Sequence, residues 1–316
     1  MSAEHATVSI GIPVYNGENY ISQAIETLLA QTYTDFELII TDNCSTDATP
    51  DICQSYATLD SRVHYHRNET NIGASRNYNR CFELSNGKYF AWAAHDDEHA
   101  PTFLEKTVKL LDENPDAVMA HARTQIIDGY GKVIPVPENT LHVRVYDSVG
   151  EKMTVGVDYT DRKLDSHRKS TRFDGIIMHT TWCYDIFGLM RREALARTSL
   201  HQSFYGTDKV LLAEMALMGR ILHVNEPLFR NRRHPQQSGH IATAKEREAW
   251  NNPLTGTHHP MPQWLCMQGY YHAVATTPMS ISERTRCMTT LAAYAANPDS
   301  WLRLINEKMY KPSYAV

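Results

Sequence analysis

The stretch HDDEH, His95 to His99, has two incompatible readings, and the choice between them sets the fold. On a helix, His95, Glu98 and His99 would share one face and form the H-x-x-E-H zinc pattern of a metalloprotease. On a loop, Asp96 and Asp97 would stand at the end of a strand, where hard carboxylate oxygens suit a divalent ion held against a phosphate. The flanking residues favour the loop. KYFAWAA, Lys88 to Ala94, is a β-rich apolar run, and Pro101 follows two residues after His99. A proline can begin a helix, but inside one it loses a hydrogen bond and clashes with the preceding turn.

Working outward from that loop, strand and helix signals alternate. Thr7 to Pro13 and Phe36 to Thr41 read as buried strands, Arg62 to His66 as a third and Lys88 to Ala94 as a fourth. Between them, Ile21, Ile25, Leu28 and Leu29 recur at helical spacing, Ser45 to Asp47 offer helix N-cap side chains, and a helix is expected after Gly73. Leu104, Val108 and Leu111 then share a helical face behind Pro101. Such alternation predicts a mostly parallel sheet flanked by helices, in which ligands bind at the carboxyl edge of the strands. PVYNGEN, TDNCSTD and HDD would then meet on one rim. No G-x-G-x-x-G follows the first strand, so backbone amides are not the expected cradle for a pyrophosphate, and a nicotinamide-binding protein is disfavoured.

The second half is less regular. Val133 to Asp174 is expected as a long acceptor-side loop, DKVLLAEMALMG as an amphipathic helix with Leu211, Met215 and Met218 on one stripe, and Ile221 to His234 as a strand and its exit. Beyond it, helical segments broken by prolines suggest an appendage, giving a catalytic domain at 1–240 and a C-terminal helical extension at 241–316. His99, His121 and His179 belong to no motif and are expected as surface or satisfied core residues.

Composition bounds the function. The chain of 316 residues carries 31 basic and 36 acidic side chains, so a general nucleic-acid surface is not expected and any anionic ligand must be bound locally. Six scattered cysteines, none in a C-x-x-C pair, and the lack of a secretory pattern fit a cytoplasmic protein. No apolar run approaches the roughly 18 residues of a membrane span, which leaves peripheral contact with a membrane open.

VSIGIPVYNGENYISQAIETLLAQTYTDFELIITDNCSTD (Val8 to Asp47), NIGASRNYN (Asn71 to Asn79), HDDEHAPTFLEK (His95 to Lys106), TDKVLLAEMALMG (Thr207 to Gly219) and RRHPQQS (Arg232 to Ser238) follow one another in an order and spacing that resemble the family 2 glycosyltransferases, over about Val8 to Ser238. The resemblance implies the GT-A fold and inverting transfer of a sugar from a nucleotide diphosphate (UDP, GDP or dTDP) to the hydroxyl of a glycan or lipid-linked acceptor. Carried over by position, it implies Asp42 as acceptor for the nucleobase, Pro13 and Tyr15 beside the base, Arg76 near the diphosphate, and Asp208 as the catalytic base. Asp96, with Asp97 and His234, would hold Mn²⁺ or Mg²⁺. The family's D-x-D motif reads Ala94, His95, Asp96 here, so its first acidic residue is missing.

Structural alternatives stand beside these roles: Asp42 as the acceptor that closes the Ser45 to Asp47 turn, Asp208 as a helix-dipole charge, and Arg76 as a solvated cation. Two other functions remain on such a sheet. A sugar-nucleotide pyrophosphorylase would need a glycine-rich basic loop that PVYNGENY does not supply, and a non-catalytic nucleotide-sugar-binding protein is suggested by the incomplete metal motif.

Overall fold

A computed structural model describes residues 6–137, 140–150, 152–158, 161–237, 244–253 and 262–297. β1 (Val8–Val14), α1 (Ile21–Leu29), β2 (Phe36–Asp42), α2 (Thr49–Leu59), β3 (Val63–Arg67), α3 (Ala74–Leu84) and β4 (Tyr89–Trp92) form three successive strand-helix units and the strand that closes them. Then come β5 (Glu98–His99), α4 (Phe103–Glu113), β6 (Ala117–Asp128), β7 (Val133–Ile134) and the hairpin of β8 (Val143–Tyr146) and β9 (Lys152–Val155). α5 (Lys169–His179), a 3-10 turn at Tyr184–Phe187, β10 (Leu189–Arg191), α6 (Arg192–Leu195), α7 (Thr207–Met218) and β11 (Arg220–Arg233) complete the sheet region. α8 (Ala244–Asn251), α9 (Pro262–Thr276) and α10 (Ile281–Ala296) follow.

The strands run in the order β3-β2-β1-β4-β10-β6-β11-β5, with β7 beside β6. β3, β2, β1 and β4 are parallel, as are β6 and β11, whereas β10 lies antiparallel between β4 and β6. β1 is buried at all seven positions, as a strand covered on both faces must be. One face packs Ile10 and Ile12 against Ile21, Ile25 and Leu28 of α1 and Phe103 and Leu104 of α4. The other packs Phe90 and Trp92 against α5 and α7. Pro13 is tolerated because β1 has its last β4 partner at Gly11, so the missing N–H faces no acceptor on that side.

HDDEH is not a helix. Asp96 lies in a turn, and Glu98 and His99 form β5, antiparallel to Arg230 and Phe229 of β11. That short edge strand is absent from the sequence expectation, as is β6, where His121, Arg123 and Gln125 interrupt the apolar pattern and pairing along β11 decides the conformation.

Two further expectations are modified. α7 is not amphipathic, since every residue from Val210 to Leu217 is buried between the sheet, α5 and α9. The Val133 to Asp174 segment is only partly irregular: it holds the β8–β9 hairpin and the first turns of α5.

The expected domain boundary at 240/241 lies outside the described residues. On its far side, Cys266, Tyr270 and Val274 of α9 and Cys287 and Leu291 of α10 share one apolar cluster with α5 and α7. Ser170 N donates to Glu283 at 2.6 Å, tying α5 to α10. All six cysteines are free thiols. Among the described residues no helix is long and apolar enough to cross a membrane.

Candidate active site

The loops that leave β1, β2 and β4 interlock on one edge of the sheet. Asn16 N donates to Ser45 Oγ at 2.9 Å, Gly17 N to Thr49 Oγ1 at 2.8 Å, and Thr46 N returns a bond to Asn16 Oδ1 at 2.8 Å. Gly17 also meets the β4 loop: a Cβ there would stand 2.6 Å from His95 Cδ2, so only glycine lets the two loops close.

On this edge Pro13 is buried near the end of β1, Tyr15 is 44% exposed just beyond it, and Asp42 ends β2. Asp42 is fully buried, and its oxygens are occupied: Oδ1 accepts from Ser45 N at 2.8 Å and Oδ2 from the Tyr65 hydroxyl at 2.7 Å, with Arg67 Nε 3.6 Å away. The turn-closing alternative is thus physically present. Arg76 lies exposed on the first turn of α3, with no hydrogen-bond or ion-pair partner among the described residues.

Beyond β4, Asp96 and His234 come together from 138 positions apart, with His234 Nε2 2.9 Å from Asp96 Oδ2. The pair is held from β11, because Arg232 Nε donates to the Asp96 carbonyl at 2.8 Å and the His234 ring packs on Tyr20 at 4.5 Å between centroids. Burial pushes the Asp96 carboxyl up, but the charges of His95 and His234 outweigh it and hold the group below its usual value.

Asp97 is oriented differently. It is 2% exposed and accepts from Arg232 N at 2.8 Å and from Asn231 Nδ2 at 3.1 Å, so it pins β11 to the loop. Burial, and then the charge of Asp96, push its carboxyl well above the usual carboxylate range. Among the described residues no cluster of three or more acidic, histidine or cysteine side chains is arranged as a metal cage. The Asp96–His234 pair still fits a hard divalent ion of the kind that takes one or two protein ligands and completes its shell with phosphate and water.

Asp208 sits in the first turn of α7, behind Gly206 at φ 92°, with its side chain half exposed. Tyr78 of α3 links the two sides of the site. Burial raises its phenol well above the usual value, and the negative charges of Asp208, Asp96 and Asp97 raise it further, so one side chain lies within electrostatic reach of both carboxylate groups.

A further cluster, next in sequence to His234 through Arg233, comes from residues that pattern reasoning missed. Asp158 collects the backbone N–H groups of Thr181, Trp182 and Cys183, the last two at 3.1 and 3.3 Å, which fixes the loop before the 3-10 turn. Trp182 and Tyr184 stack at 6°, and the Arg233 guanidinium lies 4.7 Å from the Trp182 ring while donating to the Tyr184 hydroxyl. Only the position of Arg233 beside His234 could have flagged any of these.

Curated relatives match part of the chain. The putative teichuronic acid biosynthesis glycosyltransferase TuaG of Bacillus subtilis is 38% identical over 106 residues, 34% of this chain and 42% of that protein. The putative glycosyltransferase EpsE of the same organism is 32% identical over 137 residues, 42% of this chain and 49% of that protein. An uncharacterized glycosyltransferase of Rickettsia bellii is 34% identical over 137 residues, 42% of this chain but 19% of that protein. The chain therefore matches less than half the length of each of these relatives.

Among solved structures, S. aureus TarS 1–349 in complex with UDP-GlcNAc superposes with a TM-score of 0.61 at 15% identity, covering 92% of this chain and 71% of that one. The mannosyltransferase PcManGT from Pyrobaculum calidifontis, in complex with GDP-Man and Mn²⁺, superposes with a TM-score of 0.52 at 14% identity, covering 96% and 84%. The shared architecture is the GT-A fold. The family profile described as Glycosyl transferase family 2 matches residues 9–197, more than half of the sequence and all of the β1, β2 and β4 edge, and the chain belongs to that family.

Proposed function

We propose that the chain is an inverting, metal-assisted glycosyltransferase that moves a sugar from a nucleotide diphosphate to an acceptor hydroxyl during polysaccharide or glycoconjugate assembly. One observation carries the reading: Asp96 and His234 pair at 2.9 Å beside the interlocked loops that leave β1 and β2, and the charges of Asp96 and Asp208 both bear on the one buried phenol of Tyr78.

Asp96 and His234 would hold Mn²⁺ or Mg²⁺, whose charge offsets the charge that develops on the departing diphosphate. Asp97 supports them from beneath rather than offering a free oxygen, since its partners on β11 already engage it. Pro13 and Tyr15 border the nucleobase. Asp42 can reach a base only by exchanging one of its present partners, so its first task is to hold the loop after β2 in shape. Arg76, exposed and unpaired among the described residues, is free to meet the diphosphate as a bidentate donor. Asp208 accepts the proton of the attacking hydroxyl on the face away from the leaving group, which is the geometry that a single inverting displacement requires.

The experiment is a thermal-shift screen of UDP, GDP, dTDP, UDP-GlcNAc and GDP-mannose, each with and without Mn²⁺, followed by determination of the anomeric configuration of any product. A saturating nucleotide at about 100 times its Kd stabilises the folded chain by about 2.7 kcal/mol, which the screen resolves. The reading requires a diphosphate shift enhanced by Mn²⁺ and a product of inverted configuration. Release of pyrophosphate from a nucleoside triphosphate and a sugar phosphate would overturn it.

A further inference from the structure

His201 belongs to no motif, and it faces Asp208. Its Nδ1 lies 3.3 Å from Asp208 Oδ1, with the histidine side chain 4% exposed and the aspartate 50% exposed. The imidazole is wedged between two rings, Tyr78 at 4.8 Å and Trp92 at 4.6 Å between centroids. Its backbone is clamped as firmly: Asn79 Nδ2 donates to the His201 carbonyl at 2.9 Å, and His201 N donates to Asn79 Oδ1 at 3.0 Å. Gln202 N donates to Thr207 Oγ1 at 2.7 Å, which ties the loop to the start of α7. The ring therefore has little freedom to turn, whereas Asp208 can move.

The second nitrogen bears on the tautomer. Nε2 is buried and has no partner among the described residues. A proton placed there would leave a buried donor unsatisfied and set the bare Nδ1 lone pair against a carboxylate oxygen. A proton on Nδ1 instead points at Asp208, and a small rotation of the half-exposed carboxylate completes the hydrogen bond; such contacts are often loose before the substrate binds.

We infer that His201 is a positioning residue for Asp208: its Nδ1–H holds Oδ1, so that Oδ2 faces the acceptor hydroxyl in a fixed direction. The inference rests on the proposed role of Asp208 as proton acceptor. In this arrangement the proton leaves the acceptor hydroxyl for Oδ2 as the new glycosidic bond forms and the bond to the diphosphate breaks, while His201 keeps its Nδ1 proton and transfers nothing.

Two variants and one spectroscopic signature test it. His201→Phe keeps a ring in the slot and removes the donor; His201→Asn restores an N–H close to the Nδ1 position. Turnover is measured with UDP-GlcNAc and with GDP-mannose, nucleotide affinity by thermal shift, and the tautomer of His201 by ¹⁵N NMR of the full chain. We expect Nδ1–H in the parent protein, a change in that resonance in Asp208→Asn, a fall in kcat of about 10- to 100-fold in His201→Phe with nucleotide affinity unchanged, and recovery of most of the rate in His201→Asn.

An Nε2–H tautomer overturns the inference without any donor being turned over, and parent-level kcat in His201→Phe, or equal rates in the Phe and Asn variants, overturns it kinetically. If Asp208→Asn is inactive while His201→Phe is fully active, only the inference fails. If Asp208→Asn itself keeps full turnover, the role assigned to Asp208 fails first.

Discussion

The loop edge of β1, β2 and β4 and the histidines His99 and His121 of the β5, β6 and β11 ladder both place ionisable side chains out of water, yet the two settings treat them in opposite ways. On the edge, each buried acid meets donors or an opposite charge: Asp42 has Ser45, Tyr65 and Arg67, and Asp96 has His234. On the ladder, His99 and His121 are 4% and 2% exposed among Phe103 and Phe229, and the ring nitrogens of His121 and Nδ1 of His99 have no partner among the described residues. Burial pushes His99 down to about 4; at His121 burial, countered in part by Asp185, leaves the ring at about 3. Desolvation beside an opposite charge preserves a usable charge, as at Asp96, and desolvation without a partner removes it, as at His99. At Asp97 burial and the neighbouring charge of Asp96 outweigh its hydrogen-bond donors. Of the expected alternatives, surface or satisfied core, these two histidines take the core position, but those ring nitrogens have no hydrogen-bond partner among the described residues.

If the edge is chemistry and the ladder is packing, substitutions in the two regions must fail differently. Asp208→Asn, the largest expected effect, should lower kcat by about 10²- to 10⁴-fold while the melting temperature and the nucleotide-induced shift stay at parent values. Loss of folding without loss of rate per folded molecule would break the comparison at once. Asp96→Asn and His234→Ala should weaken donor binding by at least about 10-fold and remove its enhancement by Mn²⁺, measured by calorimetry with UDP and GDP. A chelator should reproduce that loss in the parent protein and do nothing further in either variant.

The ladder makes a prediction in stability alone. The folded pKa values of His99 and His121 lie below the unfolded value of 6.5, so below pH 6.5 the unfolded chain binds more protons and stability falls as pH drops toward about 4 and about 3. At pH 5 each histidine should cost about 2 kcal/mol relative to pH 8, read from denaturant unfolding at the two pH values. His121→Leu should flatten this slope without changing turnover at neutral pH, since it removes two unsatisfied nitrogens from an apolar setting. An unchanged slope in that variant would show that other groups carry the acid sensitivity.

The same contrast explains what was readable in advance. β1 to β4 and their helices repeat a local pattern, strand then cap then amphipathic helix, so the edge that carries Pro13, Tyr15, Asp42 and Asp96 follows from periodicity within short windows. β6 owes its conformation to pairing with β11 about 100 residues later, as in Ala117 with Arg220, and no local signal encodes it. The Asp96–His234 pair was reachable only through the family resemblance, because nothing local joins positions 138 residues apart. The buried Arg162–Asp185–His223 network, with Arg162 Nη1 2.6 Å from Asp185 and His223 Nε2 2.6 Å from its other oxygen, was not reachable at all. Whether Asp97 faced a cation or β11 depended on one side-chain direction, and no sequence pattern sets it.

The smallest effect probes the interlocked loops themselves. Ser45 is 1% exposed, and its hydroxyl accepts from Asn16 N while its own N–H goes to Asp42. Ser45→Ala keeps the backbone bond to Asp42 and removes the acceptor for Asn16, so it should cost about 1 kcal/mol, one neutral hydrogen bond at a partly exposed site. Because Asn16 directly follows Tyr15, the loosened loop should also weaken nucleotide binding slightly while leaving kcat alone. That pairing of a small stability loss with an affinity loss separates a donor-edge residue from His121 on the ladder, whose replacement alters acid stability and leaves nucleotide affinity untouched.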